Sequence, residues 1–264
     1  MCAMAVFTLI YKPHAMAKDK PSDSVYMEEL TSPEIRQRIN SGAVIAIIPT
    51  GGSEQNGPHM VIGKHNTIVH YTAGKIANKL GNALVAPVIS YVPEGNINPP
   101  QGHMQFAGTI SLRKETYEAL LEDAAASLAE HGFKLICFVG DSGGNQESQE
   151  RLAKKLSEQW KDKGIKVLQV SDYYMNNGQD AWVSTLKLPI KDPGAHAGFE
   201  DTSELMALDK NGVRDSLRGN HSSEDFKISG GAGDSTLASA AYGEYLLKLK
   251  IETAAKQIKH VYAP

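Results

Sequence analysis

A carboxylate and two imidazoles lie close together after the first apolar run of the chain. Glu54 and His59 belong to the segment 52–59, and His65 follows six residues later. Carboxylate and imidazole groups are ligands that proteins use for Zn or Mn, and a hydrolytic site also keeps one position open for water. The segment is therefore a candidate metal site, with a solvated surface loop as the simpler alternative.

Two further polar segments carry candidate site residues. The glycine-rich run 140–145 lacks the Lys-Ser/Thr ending of a P-loop and the glycine spacing of the dinucleotide-binding motif, so its composition does not indicate phosphate binding. The region 176–233 is rich in Gly, Asp, Ser and His, and it includes His196 and Asp201. Long loops are predicted there.

Alternating strands and helices must position these residues from Val25 onward. Continuous apolar runs indicate buried strands, and apolar residues at helical spacing indicate helices. The predicted strands cover 44–48, 83–88, 135–139 and 166–170. The predicted helices cover 32–39, with Ser32 as N-cap, 67–80, 112–131, 146–163 and 236–259, the last of them on the outside of the domain.

This alternation predicts an α/β fold with a largely parallel sheet and helices on both faces. Ligands of such sheets bind at the carboxyl ends of the strands. The polar segments that begin at Gly51 and Gly140 each follow a predicted strand. We therefore expect them to meet at one rim of the sheet.

Four segments, in order along the chain, resemble blocks of the creatininase (creatinine amidohydrolase) family. The sequence EQNGPH at 54–59 resembles the family signature EQHGPH, and 102–110 resembles its HxxFPGT segment. The strand and glycine-rich run up to 145 resemble its NGHGGN block, and 196–203 resembles its HAGxxETS block. The resemblance implies a three-layer α/β/α sandwich, a homo-oligomer (a hexamer), and hydrolysis of small amides with one or two divalent ions.

The metal ligands implied by the resemblance are only partly kept. Glu54 matches a carboxylate ligand, whereas Asn56 and Ser142 replace ligand histidines, His65 replaces a bridging aspartate, and Asp201 replaces a glutamate. A neutral imidazole offers one lone pair, so His65 cannot bridge two ions as a carboxylate does. Glu54, His65 and Asp201 therefore predict a single Zn or Mn ion with a fourth position left for water.

The resemblance also places two histidines near the substrate. His196 is predicted to protonate the leaving nitrogen or to stabilise the oxyanion, with a loop histidine that caps a carbonyl as the alternative. His103 either lines the cavity or forms a structural hydrogen bond. Glu200 is the alternative acid if the alignment at Asp201 slips by one residue.

Composition narrows the class of protein. The chain has 264 residues, 41% of them hydrophobic, which suits one α/β domain over 25–264 after a leader at 1–24. A net charge of −3 gives no case for nucleic acid or an anionic membrane as partner. Residues 1–17 resemble the apolar part and cleavage site of a secretory signal without its positive start, so export to the periplasm and a cytoplasmic protein with a disordered leader both stay open.

Two functions are consistent with these residues. The first is a metal-dependent amidohydrolase that acts on a small amide or lactam through metal-activated water. The second is a catalytically inactive relative that kept the fold and pocket as a binding or assembly module. Creatinine is not the expected substrate, because the two-metal ligand pattern is not kept.

Overall fold

A four-stranded parallel sheet forms the centre of the protein. The computed structural model describes residues 22–222 and 224–262, so almost all of the leader predicted at 1–24 lies outside the described residues. The strands are β1 (Ile45–Thr50), β2 (Ala83–Val85), β3 (Leu135–Gly140) and β4 (Lys166–Gln169). They are arranged in the order β2-β1-β3-β4, and all neighbouring pairs are parallel.

Helices connect the strands and extend beyond them. They are α1 (Ser32–Asn40), α2 (Lys64–Leu80), α3 (Lys114–Glu130), α4 (Gln146–Gln159), α5 (Ser171–Tyr174), α6 (Gln179–Thr185), α7 (Phe199–Leu208), α8 (Phe226–Ser229) and α9 (Ala240–Tyr262). Short 3-10 segments lie at Met27–Glu29, Gly102–Gln105, Gly143–Asn145, Lys161–Lys163 and Asp215–Leu217. Over 22–222 and 224–262, no helix combines the length and apolarity needed to cross a membrane.

Side chains that alternate along β1 build a core on each face of the sheet. Ile45 and Ile47 pack with apolar residues of α2 and α9, and Ala46 and Ile48 pack with residues of α3 and α4. Burial of each large apolar side chain contributes about 1.5–3 kcal/mol. Cys137 is a buried free thiol in the first core. The predicted α/β sandwich with a parallel sheet is therefore confirmed.

Two helix boundaries differ from the predictions. The N-cap of α1 is Thr31 rather than Ser32, and Glu34 Oε2 accepts hydrogen bonds of 2.7 Å from both the backbone N–H and the hydroxyl of Thr31. Helix α2 begins at Lys64, three residues before the predicted start. Its first turn is polar, so no apolar periodicity marks it, and His65 therefore lies on a helix rather than in a loop.

The segment 176–233 holds more helix than predicted, because it contains α6, α7 and α8. The last helix, α9, packs one face on α2 and α7, where it buries seven residues, among them Lys250, and its other face is exposed. These helices matter for function, because α7 and α9 each bring charged residues to the same cavity.

The rim predicted from strand order is present. Thr50 at the end of β1 pairs with Gly140 at the end of β3, so the segments that follow them start side by side. The Asn145 amide fixes their relation, since it donates hydrogen bonds of 3.0 Å to the Thr50 hydroxyl and to the Gly51 carbonyl.

Candidate active site

A cavity of about 560 Å³ opens at this rim. All five residues that the sequence singled out as ligands or catalytic groups line it: Glu54, His65, His103, His196 and Asp201. Further lining residues include Lys64, Glu94, Asp141, Ser142, Glu200, Glu204 and Lys250. The residues predicted as ligands or catalytic groups therefore surround one cavity.

Glu54 lies at the centre of the charged groups and is only 2% exposed. Its Oε1 atom lies 2.8 Å from His65 Nε2 and 4.0 Å from Lys64 Nζ, and its Oε2 atom lies 3.2 Å from His103 Nε2. Burial acts to raise the pKa of Glu54. The charge and hydrogen bond of His65, with the charge of Lys64, outweigh burial and hold that pKa well below its usual range.

His65 is held between two carboxylates. Its Nε2 atom contacts Glu54, and its Nδ1 atom lies 2.7 Å from Asp141 Oδ2. Burial and the Lys64 charge act to lower the pKa of His65, but the Glu54 charge and the hydrogen bonds to Asp141 and Glu54 raise it above its ordinary value. Both ring nitrogens therefore donate, as in an imidazolium, and neither offers a lone pair.

Asp201 contacts Lys64 rather than Glu54 or His65. Its Oδ2 atom lies 2.7 Å from Lys64 Nζ and accepts a hydrogen bond of 3.0 Å from the Ala197 N–H. Burial acts to raise the pKa of Asp201, but the charges of Lys64, His65 and His196 hold it well below its usual value. The Lys64 side chain, which is completely buried, thus stands between the two acids predicted as metal ligands.

Lys250 lies beyond Asp141 as seen from His65 and links Asp141 to a further acid. Its Nζ atom lies 2.9 Å from Asp141 Oδ1 and 2.8 Å from Glu204 Oε2, and Tyr173 donates a hydrogen bond of 2.6 Å to Asp141. Acids and cations therefore alternate through the site. The series is Asp201, Lys64, Glu54, His65, Asp141, Lys250, Glu204, with successive separations of 2.7, 4.0, 2.8, 2.7, 2.9 and 2.8 Å.

Glu94 is a second buried acid beside Glu54. Burial, followed by the charge of Glu54 and a hydrogen bond to it, raises the pKa of Glu94 to about 10. Glu94 therefore carries a proton at neutral pH. Ser142 Oγ lies 3.5 Å from the Glu94 Oε2 atom.

His103 and His196 form the more open wall of the cavity. Their rings are edge to face, with centroids 4.6 Å apart, and both contact the Phe226 ring. Burial lowers the pKa of both, that of His196 to about 4, so both imidazoles are neutral at neutral pH. His196 Nε2 lies 3.0 Å from the Gln55 carbonyl oxygen and 3.3 Å from Gln55 Nε2. The shorter contact assigns the proton to Nε2, and Nδ1 lies 3.7 Å from Glu54 Oε1.

The residues that replace family ligands have structural contacts. The Asn56 amide donates to the backbone carbonyls of Glu54 and Val61 at 2.9 and 3.2 Å. The Gly144 N–H lies 3.4 Å from the Ser142 hydroxyl. His59 is buried, with Nε2 2.9 Å from the Thr202 hydroxyl, so it joins its loop to α7.

Sequence reasoning missed four charged residues of the site: Lys64, Glu94, Glu204 and Lys250. Lys64 was adjacent to a named candidate, so the pair Lys64-His65 after a glycine was an available signal. Glu94 follows an isolated bridge at Val92 rather than a full strand. Glu204 and Lys250 were not recognisable, since only the packing of α7 against α9 brings them to the cavity.

Comparison with known proteins decides the family. The sequence profile of the Creatininase family, described as creatinine amidohydrolase, matches residues 28–258. This chain belongs to the creatininase family. Family relatives include a mycofactocin precursor peptide peptidase of Mycolicibacterium smegmatis, 26% identical over 243 residues, which cover 84% of this chain and 87% of that protein.

A creatinine amidohydrolase of Pseudomonas putida is 32% identical over 118 residues, which cover 45% of each chain. A solved structure described as "Creatininase Mn" superimposes with a TM-score of 0.74 at 23% identity, covering 91% of this chain and 100% of the other. That likeness establishes the creatininase fold here.

The metal that the family implies can be tested against the donor groups of this chain. Glu54, His65 and Asp201 do not fit as they stand, because His65 has no free lone pair and Lys64 separates the two acids. Glu54, His103 and His196 fit better, since one ligand atom from each lies within 4.8 Å of the other two. Two imidazoles and a glutamate are a known ligand set of catalytic zinc.

The hydrogen bond between Gln55 and His103 limits how readily these three residues could bind a metal ion. Gln55 Oε1 accepts a hydrogen bond from the Gly57 N–H, so Gln55 Nε2 is the group that donates to His103 Nδ1 at 2.9 Å. The proton of neutral His103 then lies on Nε2, toward Glu54. Ligation through His103 Nε2 therefore requires that proton to leave.

Proposed function

We propose that this protein hydrolyses the C–N bond of a small amide or cyclic amide, with one Zn or Mn ion held by Glu54, His103 and His196. Family membership supports the reaction class. The observation that carries the proposal is the convergence of a buried carboxylate and two neutral imidazoles on one cavity. His103 and His196 thus take the ligand positions that were predicted for His65 and Asp201.

A divalent ion at such a site polarises a carbonyl and lowers the pKa of water. The chain's own groups then position and protonate the substrate. The hydrogen bonds of His65 to Glu54 and Asp141 fix the orientation of the Glu54 carboxylate.

In this proposal water adds its oxygen to the carbonyl carbon, the C–N bond breaks, and Glu94 supplies a proton to the leaving nitrogen. The proton that the water gives up restores the acid form of Glu94. Glu94 is protonated at neutral pH and lines the cavity beside Glu54. His196 carries no second proton to donate at neutral pH, because burial lowers its pKa to about 4. We therefore assign the general acid to Glu94 rather than to His196.

The test is a substrate screen on metal-loaded protein. Small amides, lactams and short peptides are assayed with Zn²⁺ or Mn²⁺, and metal content is measured on the same samples. Glu54→Gln is expected to lose the ion and the activity together, and Glu94→Gln to keep the ion while losing activity by about 10²-fold or more. His131→Ala, at the exposed C-terminal end of α3, is the matched control. Full activity in Glu54→Gln would contradict the proposal.

A second candidate is a non-catalytic binding or assembly module. Two observations favour this function, because both replace metal chemistry with fixed contacts. Lys64 lies between Glu54 and Asp201, and the Asn56 amide donates to the backbone carbonyls of Glu54 and Val61. It predicts ligand binding without turnover and without a bound ion. The homo-oligomer expected from the family is compatible with both candidates and is measured by light scattering.

A further inference from the structure

Lys64 is a buried cation at the first position of α2. Its side chain has no exposed surface, and its Nζ atom lies 2.7 Å from Asp201 Oδ2 and 4.0 Å from Glu54 Oε1. An ammonium group is a compact point charge that loses much hydration free energy on burial. Nearby carboxylates offset that loss, and Asp201 is the one in direct contact with Lys64.

The two acids come from distant elements. Glu54 lies in the loop after β1, and Asp201 lies in the first turn of α7. Their carboxylates would repel each other without a positive charge between them. The position of the Lys64 ammonium is therefore where a cation is needed, whether that cation belongs to the chain or comes from solution.

A divalent ion would satisfy the same two acids. Two carboxylates without a free imidazole are a ligand set for a hard cation such as Mn²⁺. His65 offers no free nitrogen at this position, because its Nε2 atom already lies 2.8 Å from Glu54 Oε1, the same oxygen that faces Lys64 at 4.0 Å.

We infer that Lys64 is a built-in replacement for a divalent ion between Glu54 and Asp201. The chain thereby fixes one positive charge permanently at this position. Removal of the lysine side chain opens a new Mn²⁺ site whose ligands are the carboxylates of Glu54 and Asp201. This site shares Glu54 with the one proposed at His103 and His196, but its second ligand is Asp201, so the variant of Asp201 separates the two.

The experiment is a Mn²⁺ titration in which binding is measured by calorimetry and by the electron spin resonance signal of free Mn²⁺. Four proteins are compared: wild type, Lys64→Ala, Asp201→Asn, and the double variant Lys64→Ala/Asp201→Asn. Lys64→Ala is expected to bind one Mn²⁺ more per chain than wild type. The double variant is expected to lose that additional ion, and Asp201→Asn alone to bind as wild type does.

Thermal unfolding gives a second measurement if Lys64→Ala is unstable without the ion. Mn²⁺ is expected to raise the Tm of Lys64→Ala by more than it raises the Tm of wild type or of the double variant. Equal Mn²⁺ stoichiometry and equal Tm shifts in Lys64→Ala and the double variant would overturn the inference. Wild-type protein that binds no Mn²⁺ would instead count against the site at His103 and His196. The failure of this inference and the failure of the proposed function therefore give different results.

Discussion

His65 Nε2 lies 2.8 Å from Glu54 Oε1 while the opposite nitrogen of the same ring contacts Asp141, so one buried imidazolium joins two segments of the rim. His65→Ala removes the partner of two buried carboxylates and is expected to lower the free energy of unfolding by about 3–5 kcal/mol. Because the pKa of His65 is raised on folding, this stabilisation is complete below the unfolded pKa of about 6.5 and declines as pH rises through the folded pKa.

Urea unfolding between pH 6 and pH 10 measures this effect. His70→Ala is the control, since His70 lies on the same helix with a side chain that is 44% exposed. His70→Ala is expected to lower the free energy of unfolding by about 1 kcal/mol or less. Equal losses for the two variants would show that His65 is not a buried ionic link.

The raised pKa of Glu200 predicts a second pH dependence of the free energy of unfolding. Burial, then the charges of Glu204 and Asp180, raises the pKa of Glu200 to about 8. The folded state therefore binds this proton more strongly than the unfolded state, and its stabilisation is lost as pH rises from about 4.5 to 8. Glu200→Gln is expected to gain stability relative to wild type across this range, by up to about 5 kcal/mol in total. Parallel stability curves for wild type, Glu200→Gln and the exposed control Glu130→Gln would contradict this assignment.

Gln55 is predicted to limit metal affinity through the proton of His103. Gln55→Glu presents an acceptor to His103 Nδ1, which favours the tautomer with a free lone pair on Nε2. The variant is expected to bind Zn²⁺ about 10-fold or more tightly than wild type. Calorimetric titration measures the affinity, with Gln101→Glu, on the exposed loop before His103, as the control for added charge. Unchanged or weaker binding by Gln55→Glu would exclude this role for the amide.

The absence of a side chain at Gly52 is predicted to leave room for the Glu94 carboxyl group. A Cβ atom at Gly52 would lie 2.2 Å from Glu94 Oε1, so Gly52→Ala must displace that carboxyl group. The substitution is expected to cost about 1–3 kcal/mol in wild type and clearly less in a Glu94→Ala background. Gly63→Ala, with no atom within 4 Å of the added Cβ, is the control in both backgrounds. Additive costs for Gly52→Ala and Glu94→Ala would contradict the contact.

The sequence predicted the sheet, the rim and the cavity because these depend on local patterns. Apolar runs marked the four strands, and the strand order then required the segments after Thr50 and Gly140 to meet. The partners of individual side chains could not be predicted. Whether Asp201 contacts His65 or Lys64 depends on the rotation of α7 against α2, and no periodicity in either segment specifies it.

X-ray absorption at the zinc edge of Zn²⁺-loaded protein tests the proposed metal site most directly. We expect two imidazole nitrogens at about 2.0–2.1 Å from the ion in wild type. One imidazole is expected to remain in His103→Ala and in His196→Ala, and two in Asp201→Asn. An unchanged imidazole count in both histidine variants, or protein that binds no zinc at all, would contradict the site at Glu54, His103 and His196.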